Sequence, residues 1–150
     1  MKKSILVFAM LVIVATSCIS IRNTIKNIDN NAPDLVLKPT DVFEIKTVAT
    51  NKKYGYHKDY PINIFFVSTA NDTLNQPRYL RALAGPNGEK LSFRKIESCC
   101  PFTSKRVASG GGMLDLYEVS WRGNPKPLRL YLNIYEKGIV MAPVGLTIRP

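Results

Sequence analysis

The chain has 150 residues, of which 45% are hydrophobic and 9% aromatic, so it is long enough for one globular domain and too short for two. Its 21 Lys and Arg residues against 11 Asp and Glu residues give a formal net charge of +10. This balance favours polyanionic partners such as lipid headgroups, lipopolysaccharide phosphates, acidic glycans or nucleic acid. The alternative is that the charges only solvate the surface, because they never form a run of five or more.

The first eighteen residues have the pattern of a secretory signal. Lys2 and Lys3 precede a short apolar core over residues 5–15, and three small residues then lead into Cys18. The apolar run is shorter than the roughly 20 residues that a membrane-spanning helix needs. Residues 1–17 are therefore predicted to be a signal peptide.

The end of this signal resembles the lipobox of bacterial lipoproteins, although Ala15 stands where that motif usually has leucine. The resemblance implies that Cys18 becomes a lipidated amino terminus carrying acyl chains such as palmitate. It also implies a location in the bacterial cell envelope, anchored to the outer membrane.

Residues 18–33 are polar and rich in asparagine, and they show no sustained periodicity. They predict a flexible tether of roughly 20 Å between the lipid and the domain. A single domain is then expected over residues 34–150.

The first half of this domain predicts two strands and a helix. Residues 42–48 could form a strand or begin a helix, while the β-branched and aromatic residues 62–67 predict a strand. A short helix is expected to begin at Asn75, as its cap, and to end at Gly85.

The second half predicts further strands. Residues 90–96 alternate and predict a strand with an irregular end, and residues 99–112 are expected to be a long loop. Residues 113–121 and 128–135 alternate clearly, and residues 139–148 predict an edge segment interrupted by Pro143. The predicted fold class is α+β: a mostly antiparallel sheet of about five strands with one short packed helix.

The adjacent pair Cys99-Cys100 is the sharpest chemical feature. Neighbouring Cα atoms lie about 3.8 Å apart, below the usual disulfide range, so a bond between these cysteines would be strained. A vicinal disulfide, or two buried thiols that shape a turn before Pro101, is the commonest explanation of such a pair. There are two alternatives: a redox-active pair, or a soft-metal site in which both thiols are ligands.

The loop over residues 51–60 is the candidate binding loop, through Tyr54, Tyr56, His57 and Tyr60. His57 is the only histidine, and a lone loop histidine beside Asp59 is more often a surface residue than a catalytic base. The sequence has no recognisable triad, HExxH motif or phosphate-binding glycine loop, so we predict no catalytic residue, metal or cofactor. Basic and aromatic residues are not interleaved on the strands, which argues against nucleic acid.

Asp72-Thr73-Leu74 is similar to the Asp-Ser/Thr-apolar site that is O-glycosylated in exported proteins of Bacteroidetes-type bacteria. A pattern of three residues occurs often by chance.

Several segments between residues 50 and 146 together resemble a family of small lipoproteins of unknown function from Bacteroidetes-type bacteria. They are Tyr54-Gly55-Tyr56, Tyr60-Pro61-Ile62, Arg78-Tyr79-Leu80, Ala82-Leu83, Gly85-Pro86-Asn87-Gly88-Glu89, Ser98-Cys99-Cys100-Pro101-Phe102, residues 114–119, residues 127–135 and Ala142-Pro143-Val144-Gly145. Some members are labelled 2-dehydro-3-deoxyphosphooctonate aldolases, but such an aldolase would need a (β/α)8 barrel of about 250 residues.

The function expected from these features is that of a non-enzymatic, lipid-anchored envelope protein. Its partner would be an envelope protein, a glycan or an anionic lipid, bound by residues 54–60 and 97–112. One alternative is a thiol-redox or soft-metal protein that uses Cys99 and Cys100. Another is a structural envelope component held by its basic surface to anionic lipid or lipopolysaccharide.

Overall fold

The computed structural model describes residues 23–66 and 72–150. Within these ranges the chain is mostly strand. The strands are β1 (Ile62–Asn63), β2 (Leu83–Ala84), β3 (Ser92–Thr103), β4 (Gly111–Ser120), β5 (Leu128–Asn133) and β6 (Thr147–Ile148). A 3-10 helix (Asp72–Leu74) runs directly into one short α-helix, α1 (Asn75–Arg81).

The described strands form two sheets rather than one sheet of about five strands. The larger sheet has the order β1-β5-β4-β3, with β1 parallel to β5 and the other pairs antiparallel. Strands β2 and β6 form a separate antiparallel pair. The chain turns after Pro143, where the Leu146 N–H donates to the Pro143 carbonyl, so only Thr147–Ile148 of the predicted edge segment pairs as a strand. The predicted class, strands in mostly antiparallel pairing with one short helix, is confirmed.

The two faces of the larger sheet bury different apolar clusters. Leu130 and Leu132 of β5 are fully buried in the main core, together with Tyr79 of α1. Leu114 of β4 lies in a smaller cluster with Ile25 and Phe102. The alternation of residues 128–135 therefore places leucines on one face, as the sequence predicts.

Residues 23–33, the described part of the predicted tether, lie against the domain. Ile25 is buried in the smaller cluster, the Lys26 N–H donates to the Asp59 carbonyl at 2.8 Å, and the Asp29 N–H donates to the Lys137 carbonyl at 2.9 Å. Ile25 packs with Phe102 and Leu114 of the sheet, and Ile28 packs against the same cluster. The predicted signal peptide and Cys18 lie outside the described residues.

Two other local predictions are corrected. Residues 42–48 make only isolated bridges, Leu37 with Phe43 and Val48 with Ala142, because the segment sends Phe43 into the core instead of pairing along its length. Asn75 is the first residue of α1 and not its cap: the 3-10 turn places Leu74 at the cap position.

Across residues 23–66 and 72–150, no helix is both long and apolar enough to cross a membrane.

Candidate functional site

Strands β3 and β4 include the two ends of the segment expected to be a loop. The loop predicted over residues 99–112 is shorter than expected and spans residues 104–110, because β3 continues to Thr103, which pairs with Gly111 of β4. The register shifts twice, between Lys95 and Glu97 and between Cys99 and Pro101. Each shift is a β-bulge, where one extra residue breaks the period-two alternation that identifies a strand in a sequence.

The first bulge changes which side chains of β3 share a face. Lys95 lies opposite Tyr117 and Ser98 lies opposite Asp115. Since Asp115 and Tyr117 are two residues apart on β4, they point to the same face of the sheet. Lys95 and Ser98 therefore also share that face, although their positions are three apart in the sequence.

This arrangement surrounds the carboxylate of Asp115 with three donors. Ser98 Oγ donates to Oδ1 at 2.6 Å, and Lys95 Nζ contacts the same oxygen at 2.7 Å. Gln76 Nε2, from α1, donates to Oδ2. Asp115 is only 9% exposed, so the donors replace the water that its charge would otherwise bind. We call these four residues the Asp115 cluster.

The Asp115 cluster lines a cavity of about 480 Å³. The size lies within the range of small-molecule sites, which are mostly apolar with a few convergent polar groups. The other lining residues are Thr73, Gly112, Met113, Tyr117, Ile134 and Tyr135. Met113 is 45% exposed and gives this wall an accessible apolar group.

The hydroxyl of Tyr117 makes no hydrogen bond with any described residue. Burial, followed by the negative charge of Asp115, raises the pKa of Tyr117 above its usual value of 10.0. The hydroxyl is therefore a protonated donor at neutral pH, close to the Asp115 carboxylate and unused within the described part of the chain.

The sequence interpretation missed this cluster. The available signal was Asp115 itself, a carboxylate on the strand face that also carries Tyr117 and Val119, both buried in the main core. A charged residue on a core face requires partners. The identity of those partners depends on the bulge in β3, which the sequence does not reveal.

Both thiols of the adjacent cysteine pair are free and half-buried. Cys100 occupies the second bulge with a φ of 57°, a left-handed conformation that side chains other than glycine rarely adopt. Cys99 lies opposite Leu114, on the face away from Asp115. Burial, with a smaller contribution from the Cys100 side chain, raises the pKa of Cys99 from 9.0 to about 12.

The predicted binding loop divides into structural and accessible residues. The buried hydroxyl of Tyr54 donates to the Ile139 carbonyl at 3.2 Å and accepts the Met141 N–H at 3.0 Å. Tyr56 donates to the Val144 carbonyl at 2.7 Å. The hydrogen bonds of these two side chains connect the loop to residues 139–144.

His57 is exposed, and Tyr60 is half-buried. His57 Nδ1 accepts the Asp59 N–H at 3.2 Å, and its ring lies 6.4 Å from that of Tyr60. The ammonium groups of Lys26 and Lys53 each lie 5.9 Å from the centre of the Tyr60 ring. Tyr54 and Tyr60 line a second cavity, of about 260 Å³, together with Met141.

Two further features considered in the sequence are the Asp72-Thr73-Leu74 pattern and a possible metal site. Thr73 of the Asp72-Thr73-Leu74 pattern is exposed in the 3-10 helix. Among the described residues, no three or more His, Cys, Asp or Glu side chains are grouped so that they could hold a metal ion.

Comparisons of the chain with models of protein families, with curated proteins and with solved structures find no match.

Proposed function

We propose that the chain is a lipid-anchored protein of the bacterial cell envelope whose domain binds a ligand and does not catalyse a reaction. The observation that carries the binding role is the Asp115 cavity, where a satisfied polar cluster lies beside an accessible apolar wall. The signal pattern that ends at Cys18 supports the anchor.

The geometry of the cluster favours binding over catalysis. Ser98 donates a hydrogen bond to Oδ1 of the Asp115 carboxylate, and the Lys95 ammonium contacts the same oxygen. An activated serine needs a base that is free to accept its proton. His57 makes its contacts to Asp59 and Tyr60, within its own loop, and so offers no base to Ser98.

The anchor is tested by growing cells on an alkyne analogue of palmitate and detecting label on the full chain. Labelling is expected in the native chain and absent from Cys18→Ser, with Cys99→Ser as the matched control that keeps its label. Label that persists in Cys18→Ser would overturn the anchor.

The binding role is tested by co-sedimentation of the full chain, in detergent, with isolated envelope fractions. Binding that persists in high salt is expected, because the Asp115 cluster pairs its own charges and so presents no net charge. Retention at background level by every envelope fraction would overturn the proposal.

A second candidate function, attachment to anionic lipid or lipopolysaccharide, is favoured by a different cavity. This cavity, of about 430 Å³, is lined by Lys38, Arg81 and Arg149. Arg81 already pairs with Asp41 at 2.9 Å, which uses part of its charge. Attachment of this kind predicts binding to anionic vesicles that falls steeply as salt rises.

The thiol-redox alternative has less support. A thiol reacts and binds metal as its thiolate, and burial keeps Cys99 protonated at neutral pH. Neither cysteine lines the cavities described above.

A further inference from the structure

We propose that the Asp115 cavity binds an uncharged saccharide of the cell envelope. The inference rests on the proposed binding function and adds to it the site and the chemical class of the ligand. It is carried by the charge balance of the cluster, its unused hydrogen-bonding capacity and the mixed character of its walls.

The charge balance favours an uncharged ligand. Among the residues that line the cavity, Asp115 and Lys95 carry the formal charges, and their side chains contact each other at 2.7 Å. Their charges cancel within the site, although the chain as a whole has a net charge of +10. A charged ligand would lose its hydration in this cavity without gaining an opposite charge.

The cluster retains hydrogen-bonding capacity for hydroxyl groups. A carboxylate has about four acceptor positions, of which Ser98, Lys95 and Gln76 occupy three at Asp115. The Ser98 oxygen and the remaining Lys95 donors add both acceptor and donor positions, and the Tyr117 hydroxyl makes no hydrogen bond to residues 23–66 or 72–150. A sugar hydroxyl both donates and accepts, so it matches this mixture.

The walls of the cavity combine polar and apolar surface in the same way as a sugar. The C–H faces of a pyranose need apolar contact, while its hydroxyl rim needs hydrogen bonds. Met113 and Ile134 offer the apolar side of the cavity, and the Asp115 cluster offers the polar side. Tyr135 and Gly112 complete the lining of the cavity.

The experiment uses methyl NMR of the full chain with ¹³C-labelled methionine methyl groups. Met113 lines the Asp115 cavity and Met141 lines the cavity beside Tyr54 and Tyr60, so each reports on one site. The two signals are assigned with Met113→Leu and Met141→Leu. The detergent is dodecylphosphocholine, because a detergent with a sugar headgroup would compete.

The probes are glucose, galactose, N-acetylglucosamine, cellobiose and N,N′-diacetylchitobiose, with glucuronate and spermidine as charged counterparts. A saturable shift of the Met113 signal with at least one neutral probe is expected, without a shift of Met141. Tyr117→Phe and Ser98→Ala are each expected to weaken this binding by about 3- to 10-fold, the loss of one hydrogen bond. Tyr131→Phe, on the opposite sheet face, is the matched control and should bind normally.

Three results would overturn the inference: no Met113 shift with any neutral probe, a shift of Met141 alone, or a stronger response to spermidine or glucuronate. An unchanged Met141 signal in Tyr117→Phe and Ser98→Ala shows that these variants are folded. Failure here, with palmitate labelling and salt-resistant envelope binding intact, would reject the saccharide and leave the proposed function standing. Loss of labelling and envelope binding would reject the proposed function itself.

Discussion

Ser98 donates a hydrogen bond of 2.6 Å to Asp115 from the neighbouring strand, on the same sheet face as Lys95, which lies three residues earlier. In a regular strand, residues three apart point to opposite faces. The bulge between Lys95 and Glu97 brings the two side chains to one carboxylate. A local irregularity of β3 thus builds the polar cluster of the candidate site.

Replacing Asp115 should destabilise the fold more than replacing Glu118, a more accessible carboxylate on the same strand. Asp115→Asn keeps the shape but removes the charge that three donors share, so we expect a loss of about 1–3 kcal/mol in the free energy of unfolding. Glu118→Gln is the control, since Glu118 pairs with the largely exposed Arg94 and should contribute less than about 1 kcal/mol. Urea denaturation measures both, and equal losses would contradict a structural role for the cluster.

The backbone at Cys100 predicts opposite preferences at two adjacent positions. Cys100 has a φ of 57°, so Cys100→Gly should be more stable than Cys100→Ala by about 1 kcal/mol, since glycine adopts this conformation without steric cost. At Cys99, which pairs with Leu114 in the strand, Cys99→Ala should instead be more stable than Cys99→Gly by about 0.5–1 kcal/mol. Thermal unfolding of the four variants checks the order, and the same order at both positions would contradict the bulge.

The thiol of Cys99 should be unreactive at neutral pH. Burial raises its pKa to about 12, so almost no thiolate is present at pH 8. Iodoacetamide labelling followed by mass spectrometry should therefore show slow modification of Cys99 in the folded chain and fast modification in denaturant. Comparable rates in both states would revive the thiol-redox alternative.

The raised pKa of Cys99 also predicts that the free energy of unfolding depends on pH. The folded pKa of Cys99 lies above its usual value of 9.0, so its contribution to stability is complete below pH 9 and is lost as the pH rises towards about 12. The difference in unfolding free energy between the native chain and Cys99→Ser should be constant below pH 9 and change above it. A difference that is flat from pH 7 to pH 11 would contradict the burial of this thiol.

Removing the hydroxyl of Tyr54 should lower the free energy of unfolding more than removing the hydroxyl of Tyr60. Tyr54→Phe removes an acceptor for the Met141 N–H and a donor for the Ile139 carbonyl, at a cost of about 1–3 kcal/mol. Tyr60→Phe removes a hydroxyl without a hydrogen bond to the described residues, and should change stability by less than about 0.5 kcal/mol. Chemical denaturation of both variants makes the comparison, and a larger loss for Tyr60→Phe would reverse the assignment.

The sequence predicted the parts of the fold that follow a regular period. Residues 128–135 alternate because Leu130 and Leu132 face a buried core while Tyr131 packs on the other side, so the pattern and the structure agree. The short helix was predicted from its apolar face, which Tyr79 and Leu80 bury, but Asn75 lies inside it because a 3-10 turn precedes it.

The structure could not be predicted from the sequence where β-bulges break the period-two alternation of a strand. Cys99, Cys100 and Pro101 have the composition of a turn, yet pairing with β4 holds them in a bulged strand. The Asp115 cluster joins Gln76, Ser98 and Asp115 from three separate elements, so no local spacing could indicate it.

The most direct measurement of the link between the cavity and the envelope is co-sedimentation of the full chain with isolated envelope at high salt. It compares the native chain, the double variant Ser98→Ala/Tyr117→Phe and the control Tyr131→Phe. The native chain and the control should sediment equally, while the double variant should lose most of its binding at unchanged folding, judged by its Met141 methyl signal. Equal sedimentation of all three proteins would contradict the assignment of envelope binding to the Asp115 cavity.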